Sequence, residues 1–148
     1  MAWICTQVPV SQLVPVCILT GATVVALGTA ATALHLKNSR RRLAEVRELE
    51  AFSFRVGDPV NILHHFTLGG EILASRIADH KNAGGGKSAA GSQQGFAFLL
   101  THVPKDVDVM ELDIAGPAGD FSNGDGIQVG TSRPAGTWFI IARELNNV

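Results

Sequence analysis

Charged residues are missing from the first quarter of this chain. Residues 1–36 contain no Asp, Glu, Lys or Arg, although the whole chain has 12 basic and 13 acidic side chains. Such a long uncharged stretch is unusual in a water-soluble domain, whose surface normally carries charge. Cysteine is also scarce, since Cys5 and Cys17 are the only two and both lie in this stretch. No disulfide can therefore hold the later part of the chain, which fits a reducing compartment.

The apolar part of this stretch is long enough to cross a bilayer as one helix. Residues 14–36 rise about 1.5 Å each as a helix, which is sufficient for a hydrocarbon layer of roughly 30 Å. The alternatives are a buried core helix and a signal peptide cleaved near residues 31–33. Long core helices are usually amphipathic, and a signal peptide begins with a positive segment that is missing here. We predict an uncharged tail over residues 1–13 and a transmembrane helix over residues 14–36.

A basic segment follows the predicted membrane helix. Residues 37–47 carry five basic side chains against one acidic one, whereas residues 48–148 carry 7 basic and 12 acidic side chains. Because Lys and Arg stay on the side from which a segment inserts, we expect the N-terminus out and the C-terminal domain on the matrix, stromal or cytosolic side. The residues expected to fix depth and orientation at lipid headgroups are Trp3, Lys37, Arg40, Arg41 and Arg42.

An amphipathic helix is predicted over residues 37–54, because apolar residues recur there every three positions from Leu43 to Phe52. Together with the apolar run, residues 14–52 resemble mitochondrial signal anchors and internal targeting signals, and also N-out bacterial and plastid anchors. The resemblance favours the mitochondrial inner membrane. A plastid membrane and the mitochondrial outer membrane remain alternatives, because the acidic residues at 45, 48 and 50 depart from the acid-poor pattern.

Small residues dominate the predicted membrane helix. Among residues 20–33, 11 of 14 are Gly, Ala or Thr. Small residues spaced by four or seven positions let helix backbones approach closely in lipid. The helix-packing residues predicted on this basis are Gly21, Ala22, Ala26 and Gly28. A lone anchor that is merely rich in alanine is the alternative.

The remaining chain, residues 55–148, is predicted to form a small mainly-β (α+β) water-soluble domain. A short helix is expected over residues 71–80 and a mobile Gly/Ser-rich loop over residues 83–95. The strands are expected over residues 60–68, 96–103, 107–114, 127–130 and 137–143. Hairpin-type turn signals lie at residues 123–126. The sequence shows no βαβ rhythm.

Short motifs that are similar to catalytic or binding patterns each lack a required residue. Residues 86–88 resemble the end of a phosphate-binding loop, but Lys81 stands where that loop needs glycine. The run from residue 86 to Ala90 lacks the last glycine of a nucleophile elbow. Residues 120–126 lack the glycine and glutamate of a calcium loop. We therefore predict no catalytic residue and no cofactor.

The histidines also give no metal site. None of the five pairs with another at zinc-helix spacing, and no cysteine lies near them. The five are His35, His64, His65, His80 and His102. His35 is interpreted as an interfacial histidine at the basic end of the membrane helix, with a haem or quinone contact as the alternative.

These observations predict an accessory, structural subunit of a multi-subunit membrane complex, of respiratory, ATP synthase or photosynthetic type, and not an enzyme. The predicted partners are other membrane subunits, through the small-residue helix, and anionic lipid headgroups at the basic segment. The acidic remainder speaks against nucleic acid. Two alternatives stay open: a membrane-tethered adaptor whose β-rich domain recruits a soluble partner, and an enzyme whose site is not recognisable.

Overall fold

Helices and strands alternate along most of the chain. The structure is a computed structural model, and it describes residues 1–37, 43–65, 73–82, 90–120 and 129–130. Their elements, in chain order, are α1 (Ala2–Gln7), β1 (Gln12–Leu13), β2 (Val16–Cys17), α2 (Gly21–Leu27), β3 (Thr32–Leu36), α3 (Leu43–Arg55), β4 (Val60–Ile62), α4 (Gly91–Leu100), β5 (Asp108–Asp113), β6 (Gly119–Asp120) and β7 (Val129–Gly130).

Five strands form one mixed sheet around β5. On one side β5 pairs with β3 in antiparallel fashion, and β3 pairs with β4 in parallel. On the other side β1 and β2 follow one another along β5, and both are parallel to it. Strands β6 and β7 form a separate antiparallel pair. Because β3 and β4 are parallel and α3 lies between them in the chain, they form a βαβ unit, which the sequence analysis did not find.

Helix α3 covers one face of the sheet with an apolar core. Side chains alternate between the two faces of a strand, so every second residue of β3 and β5 points toward α3. The buried residues of this cluster are Leu34, Leu36, Val46, Leu49, Val60, Met110 and Leu112. Full burial of one such side chain contributes about 1.5–3 kcal/mol. The amphipathic pattern in α3 therefore serves the protein's own sheet.

The opposite face of the sheet is polar and is covered by α2 and α4. His35 of β3 lies directly opposite Glu111 of β5, and Asp113 lies two residues further along the same face. All three side chains are fully buried. Helix α2 packs against both α4 and β3. The polar residues are thus enclosed between the sheet and two helices.

The predicted transmembrane helix over residues 14–36 is wrong. These residues form β2, α2 and β3, and no helix in the described ranges has the length and apolar character needed to span a bilayer. All five residues of β3 are buried, and a strand covered on both faces carries few charges. Helix α2 ends at Gly28, whose φ of +66° suits glycine. Residues 32–36 of the uncharged stretch therefore form the interior of a sheet, whereas Ile18 and Val25 in the same stretch are exposed.

The membrane topology that was predicted from this helix is therefore also wrong. This concerns the single membrane pass, the outward N-terminus and the placement in the mitochondrial inner membrane, with the plastid and mitochondrial outer membranes as alternatives. The basic residues 40–42 lie outside the described residues. Lys37 is described, and its Nζ donates hydrogen bonds to the carbonyl oxygens of Pro104, Lys105 and Val107, at 2.9, 3.0 and 2.6 Å.

Further predicted elements differ from the structure. Residues 91–95 of the loop predicted over residues 83–95 belong to helix α4, and the strand predicted over residues 60–68 is formed only at Val60–Ile62 within the described residues. The apolar residues 96–103 were predicted as a strand, but those up to Leu100 belong to helix α4. No α-helix is present over residues 73–80, where one was predicted. A short apolar run does not distinguish a buried strand from a buried helix, which accounts for the error at residues 96–100. The mainly-β description is therefore wrong, and the described chain is an α/β domain. The turn signals at residues 123–126 and the strand predicted over residues 137–143 lie outside the described residues.

Candidate functional site

An apolar pocket opens where strand β2 leads into helix α2. Its volume is about 410 Å³. The lining residues are Ile18, Leu19, Thr20, Gly21, Val24, Val25 and Ala115. None of them is charged, and Ile18 and Val25 are 67% and 90% exposed. A concave site of this composition favours an apolar group as its ligand.

The carboxylate of Asp113 holds the polypeptide that forms the pocket wall. Its Oδ1 accepts hydrogen bonds from the backbone N–H groups of Leu19 and Ala115, both at 3.1 Å. Its Oδ2 accepts from the N–H of Thr20 at 3.1 Å, from the Thr20 hydroxyl at 2.9 Å and from the Thr23 hydroxyl at 2.6 Å. One buried side chain therefore fixes both sides of the pocket, because Leu19 and Ala115 come from different parts of the chain.

Thr20 also starts helix α2. Its hydroxyl oxygen accepts a hydrogen bond from the N–H of Thr23 at 3.3 Å, as an N-cap residue does. The same hydroxyl donates to Asp113. The residues between β2 and α2 are thus held in place by the N-cap residue Thr20, which is hydrogen bonded to Asp113 of the sheet.

A chain of polar side chains continues from Asp113 into the interior. The hydroxyl groups of Thr23 and Ser92 are 2.7 Å apart. The Ser92 hydroxyl is 2.8 Å from Nε2 of His35. The His35 ring stacks on the Phe96 ring, with the centroids 5.2 Å apart and the planes 19° from parallel. Burial lowers the pKa of His35 to about 4, so the imidazole is neutral at pH 7.

Glu111 lies beside His35, on the side of strand β2. Its Oε2 is 3.8 Å from Nε2 of His35, and its Oε1 is 3.4 Å from the thiol sulfur of Cys17. Burial, and then the neighbouring Asp113 carboxylate, raise the pKa of Glu111 to about 8. Burial, followed by the charge of Glu111, raises the pKa of the Cys17 thiol to about 12. Cys17 therefore remains a thiol at neutral pH and is a poor nucleophile.

Ser92, His35 and Glu111 are the residue types of a serine hydrolase triad, but their geometry differs from one. In a triad the serine and the acid contact opposite nitrogens of the histidine. Here both are nearest to Nε2, and Ser92 is 3% exposed. A peptide bond cannot reach a hydroxyl buried in this way. No nucleophilic role therefore follows from these residues.

The four predicted helix-packing residues all belong to α2 or end it. Ala22 lies against α4, since a Cβ added to Gly91 would be 2.9 Å from the Ala22 Cβ. Gly21 lines the pocket, Ala26 is exposed and Gly28 is the C-cap. The contact that the structure shows is thus made within one chain. Trp3, predicted at a lipid interface, is on α1 and 74% exposed.

Sequence reasoning did not find the residues that form this site. A strand was predicted over residues 107–114, but no role was assigned to Glu111 and Asp113, which are fully buried. The sequence did contain a signal for a polar site, because Glu111 and Asp113 lie on β5, which pairs with β3, a strand from the uncharged stretch. The sequence alone did not show that β3 and β5 are neighbours.

Comparisons with known proteins show the family to which the chain belongs. Residues 1–138 match the peptidase M17 family, described as "Cytosol aminopeptidase family, catalytic domain". The chain is 36% identical, over 115 residues, to a probable cytosol aminopeptidase of Clostridium perfringens, covering 78% of this chain and 22% of that protein. It is 32% identical, over 117 residues, to the chloroplastic leucine aminopeptidase 2 of Arabidopsis thaliana, covering 79% of this chain and 19% of that protein.

A solved structure shows the same fold. The bottromycin maturation enzyme BotP superposes with a TM-score of 0.77 at 27% identity, covering 98% of this chain and 32% of that one. The family match and the shared fold therefore define a domain of the aminopeptidase type. The chain belongs to the cytosol aminopeptidase family, peptidase M17, and matches its catalytic domain. It spans about a fifth of the length of the curated relatives named above.

Family membership corrects the predicted function. The accessory subunit of a membrane complex is wrong, and so is the prediction that the chain is not an enzyme, because the family and its named relatives are peptidases. The mitochondrial membrane assignment is wrong for the same reason. The predicted partners, namely other membrane subunits and anionic lipid headgroups but no nucleic acid, stay untested predictions, although the helix on which they rested is not formed.

The described residues offer few side chains that could ligate a metal ion together. One similar structure, at a TM-score of 0.61 and 31% identity over 73% of this chain and 22% of that one, is BotP in complex with Mn. Within the described ranges of this chain, no group of three His, Cys, Asp or Glu side chains could hold a metal ion. The described residues therefore do not fit a metal centre, and no chemical step is assigned to one.

Proposed function

We propose that this chain supplies the side-chain pocket of an aminopeptidase-type catalytic domain, and that the pocket takes the apolar side chain of a peptide's N-terminal residue. The observation that carries this proposal is the aliphatic pocket between β2 and α2, with its volume of about 410 Å³. Family membership supplies the class of substrate. Two of its relatives are named as leucine aminopeptidases, which agrees with an apolar pocket.

The composition of the pocket supports an aliphatic ligand over a charged one. Moving an aliphatic side chain such as that of leucine out of water contributes about 1.5–3 kcal/mol. A charged side chain would lose its water and find no charged partner among the lining residues. Gly21 leaves part of the wall open, since a Cβ built there meets no atom within 4 Å. The pocket thus has room for a branched side chain.

Binding of amino-acid amides by the full chain tests the pocket. Isothermal titration with L-leucinamide is compared with titration with the α-amide of L-glutamic acid, which differs by a charged side chain. We expect L-leucinamide to bind at least about tenfold more tightly, the ratio that 1.4 kcal/mol provides. Equal affinities for the two amides, or tighter binding of the glutamic acid amide, would refute the pocket assignment.

A hydrolysis assay tests the aminopeptidase activity separately. L-leucine 4-nitroanilide has a free amino group, whereas its N-acetyl derivative does not, so an aminopeptidase should cleave only the first. We expect release of 4-nitroaniline from the free compound alone, in buffer with or without Mn²⁺. Equal cleavage of both compounds, or cleavage of neither, would reject the activity while leaving the binding result to decide the pocket.

A further inference from the structure

We infer that Ser92 and His35 are positioning residues for the pocket, although neither of them lines it. They act through a directed chain of hydrogen bonds that runs from His35 through Ser92 and Thr23 to the carboxylate of Asp113, which holds the pocket wall. The role of the pocket rests on the proposed function. The existence and direction of the hydrogen-bond chain do not.

The direction of the chain follows from the number of protons available. The Asp113 carboxylate only accepts, so the single hydroxyl proton of Thr23 is donated to Oδ2, at 2.6 Å. The Thr23 oxygen must then accept from Ser92, at 2.7 Å. Because the proton of Ser92 is used in that bond, its oxygen accepts from His35, at 2.8 Å. His35 is therefore protonated on Nε2, and this tautomer is fixed by a carboxylate three hydrogen bonds away.

The packing around the chain leaves its groups few other partners, and the one other hydroxyl within reach among the described residues is that of Thr20, 3.0 Å from the Thr23 hydroxyl. Thr23 and His35 are fully buried, and Ser92 is 3% exposed. Phe96 lies against one face of the imidazole. If any of these hydrogen bonds ran in the opposite direction, one of the contacts from His35 to Asp113 would contain two protons or none. A buried hydroxyl group without a partner is disfavoured, so the contacts from His35 to Asp113 favour this direction, which leaves Nδ1 of His35 without a hydrogen bond to any described residue.

Helix α4 supports the pocket wall by direct contact as well. Gly95 is three residues after Ser92, so both are on the same side of α4. A Cβ on Gly95 would lie 2.7 Å from Cγ2 of Thr20 and 3.0 Å from Cδ2 of Leu19, which are both pocket residues. Ser92 therefore belongs to the helix face that touches the back of the wall. The hydrogen bond between Ser92 and Thr23 and the close approach of Gly95 to Thr20 thus lie side by side on this face of α4.

Nuclear magnetic resonance of the side chain tests the direction. In the uniformly ¹⁵N-labelled full chain, the His35 ring is identified as the signal set that is lost in His35→Gln. Long-range ¹H–¹⁵N correlations at pH 7 then show which ring nitrogen carries the proton. We expect the proton on Nε2 in the wild type and a mixture of the two tautomers in Ser92→Ala. A proton on Nδ1 in the wild type would overturn the inference.

Matched substitutions of Thr23 test the connection to the wall. Thr23→Val keeps the shape and removes the hydroxyl, whereas Thr23→Ser keeps the hydroxyl. We expect the backbone amides of Leu19 and Thr20 to exchange with solvent about tenfold faster or more in the valine variant. The serine variant should stay near the wild type. Should the valine variant not fold, Ser92→Ala is measured in the same way. Unchanged exchange in the variant that folds would overturn the inference.

Ligand affinity separates this inference from the proposed function. With L-leucinamide as the probe, Ser92→Ala should weaken binding about threefold to tenfold, and Thr23→Ser should bind as the wild type does. If the wild type does not bind L-leucinamide, the pocket proposal fails, and the tautomer and the amide exchange still decide the positioning role. If the wild type binds and Ser92→Ala binds equally, the positioning role fails and the pocket stands.

Discussion

His35 and Glu111 face each other in register on the antiparallel strands β3 and β5, fully buried, with Nε2 of the histidine 3.8 Å from Oε2 of the glutamate. At this separation the two groups are not hydrogen bonded to each other. His35 instead contacts Ser92, and Glu111 contacts Cys17. Two titratable groups are thus enclosed together, and each is held mainly in its neutral form by burial.

The stability of the protein should depend on pH through this pair. Burial raises the pKa of Glu111 from 4.5 to about 8, so above pH 4.5 the folded state binds more protons and stability falls until about pH 8. Burial lowers the pKa of His35 from 6.5 to about 4, so stability falls as pH drops from 6.5 to 4. Between pH 4.5 and 6.5 the two slopes oppose each other. We expect a plateau there and a loss on either side of up to about 1.4 kcal/mol per pH unit.

Urea denaturation at a series of pH values measures this profile. Glu111→Gln removes the glutamate titration and keeps a similar shape, so its stability should stay level between pH 6.5 and 8 while the wild type declines. In His35→Gln the plateau should be lost, and stability should keep rising as the pH falls from 6.5 to 4.5, because only the glutamate still titrates there. Parallel profiles for the wild type and Glu111→Gln would contradict the assignment of the alkaline decline to Glu111.

Two buried threonines provide a matched comparison of stability. Thr23 and Thr32 are both fully buried, but only the Thr23 hydroxyl has hydrogen-bond partners among the described residues. Thr23→Val leaves Ser92 and Asp113 each short of a partner and should cost about 1–3 kcal/mol. Thr32→Val removes an unpaired hydroxyl from a strand and should be neutral or stabilising. Thermal unfolding of both variants checks this order, and equal losses would show that the network adds no stability.

Gly21 is the position at which the pocket can be filled without disturbing the core. A Cβ there meets open space, so Gly21→Ala and Gly21→Leu should both fold. The leucine side chain should occupy the pocket and weaken L-leucinamide binding about tenfold or more, whereas alanine should leave it near the wild-type value. Titration calorimetry measures both. Full affinity in Gly21→Leu would show that the ligand binds elsewhere.

Gly116, unlike Gly21, has no space for a side chain. A Cβ on Gly116 would overlap the carbonyl oxygen of Gly28, which ends helix α2. Gly116→Ala should therefore cost about 1–3 kcal/mol, the usual range for overpacking. Gly21→Ala, in the first turn of the same helix, should instead stabilise by up to about 1 kcal/mol. Chemical denaturation of the two variants tests whether the close approach of Gly116 to Gly28 holds the end of α2.

Local patterns in the sequence predicted the elements that depend on neighbours in the chain. The apolar spacing from Val46 to Phe52 belongs to helix α3, and β5 falls inside the strand predicted over residues 107–114. Residues 96–100 were assigned the wrong element, because four to eight consecutive apolar residues fit a buried helix as well as a buried strand. The 23 uncharged residues at positions 14–36 fit a membrane helix by length alone.

The sequence by itself determined that residues 32–36 form a segment suited to burial on all sides, because an apolar segment without charge gains most from burial. It did not determine what would bury them, since a lipid bilayer and a two-sided sheet select for the same apolar residues. Only the tertiary structure decided that β3 pairs with β5, which sets His35 opposite Glu111. It also decided that β2 pairs with β5, which brings Thr20 to the Asp113 carboxylate. Contacts between distant parts of a chain have no local pattern, so the pocket and its polar support appear only in the folded protein.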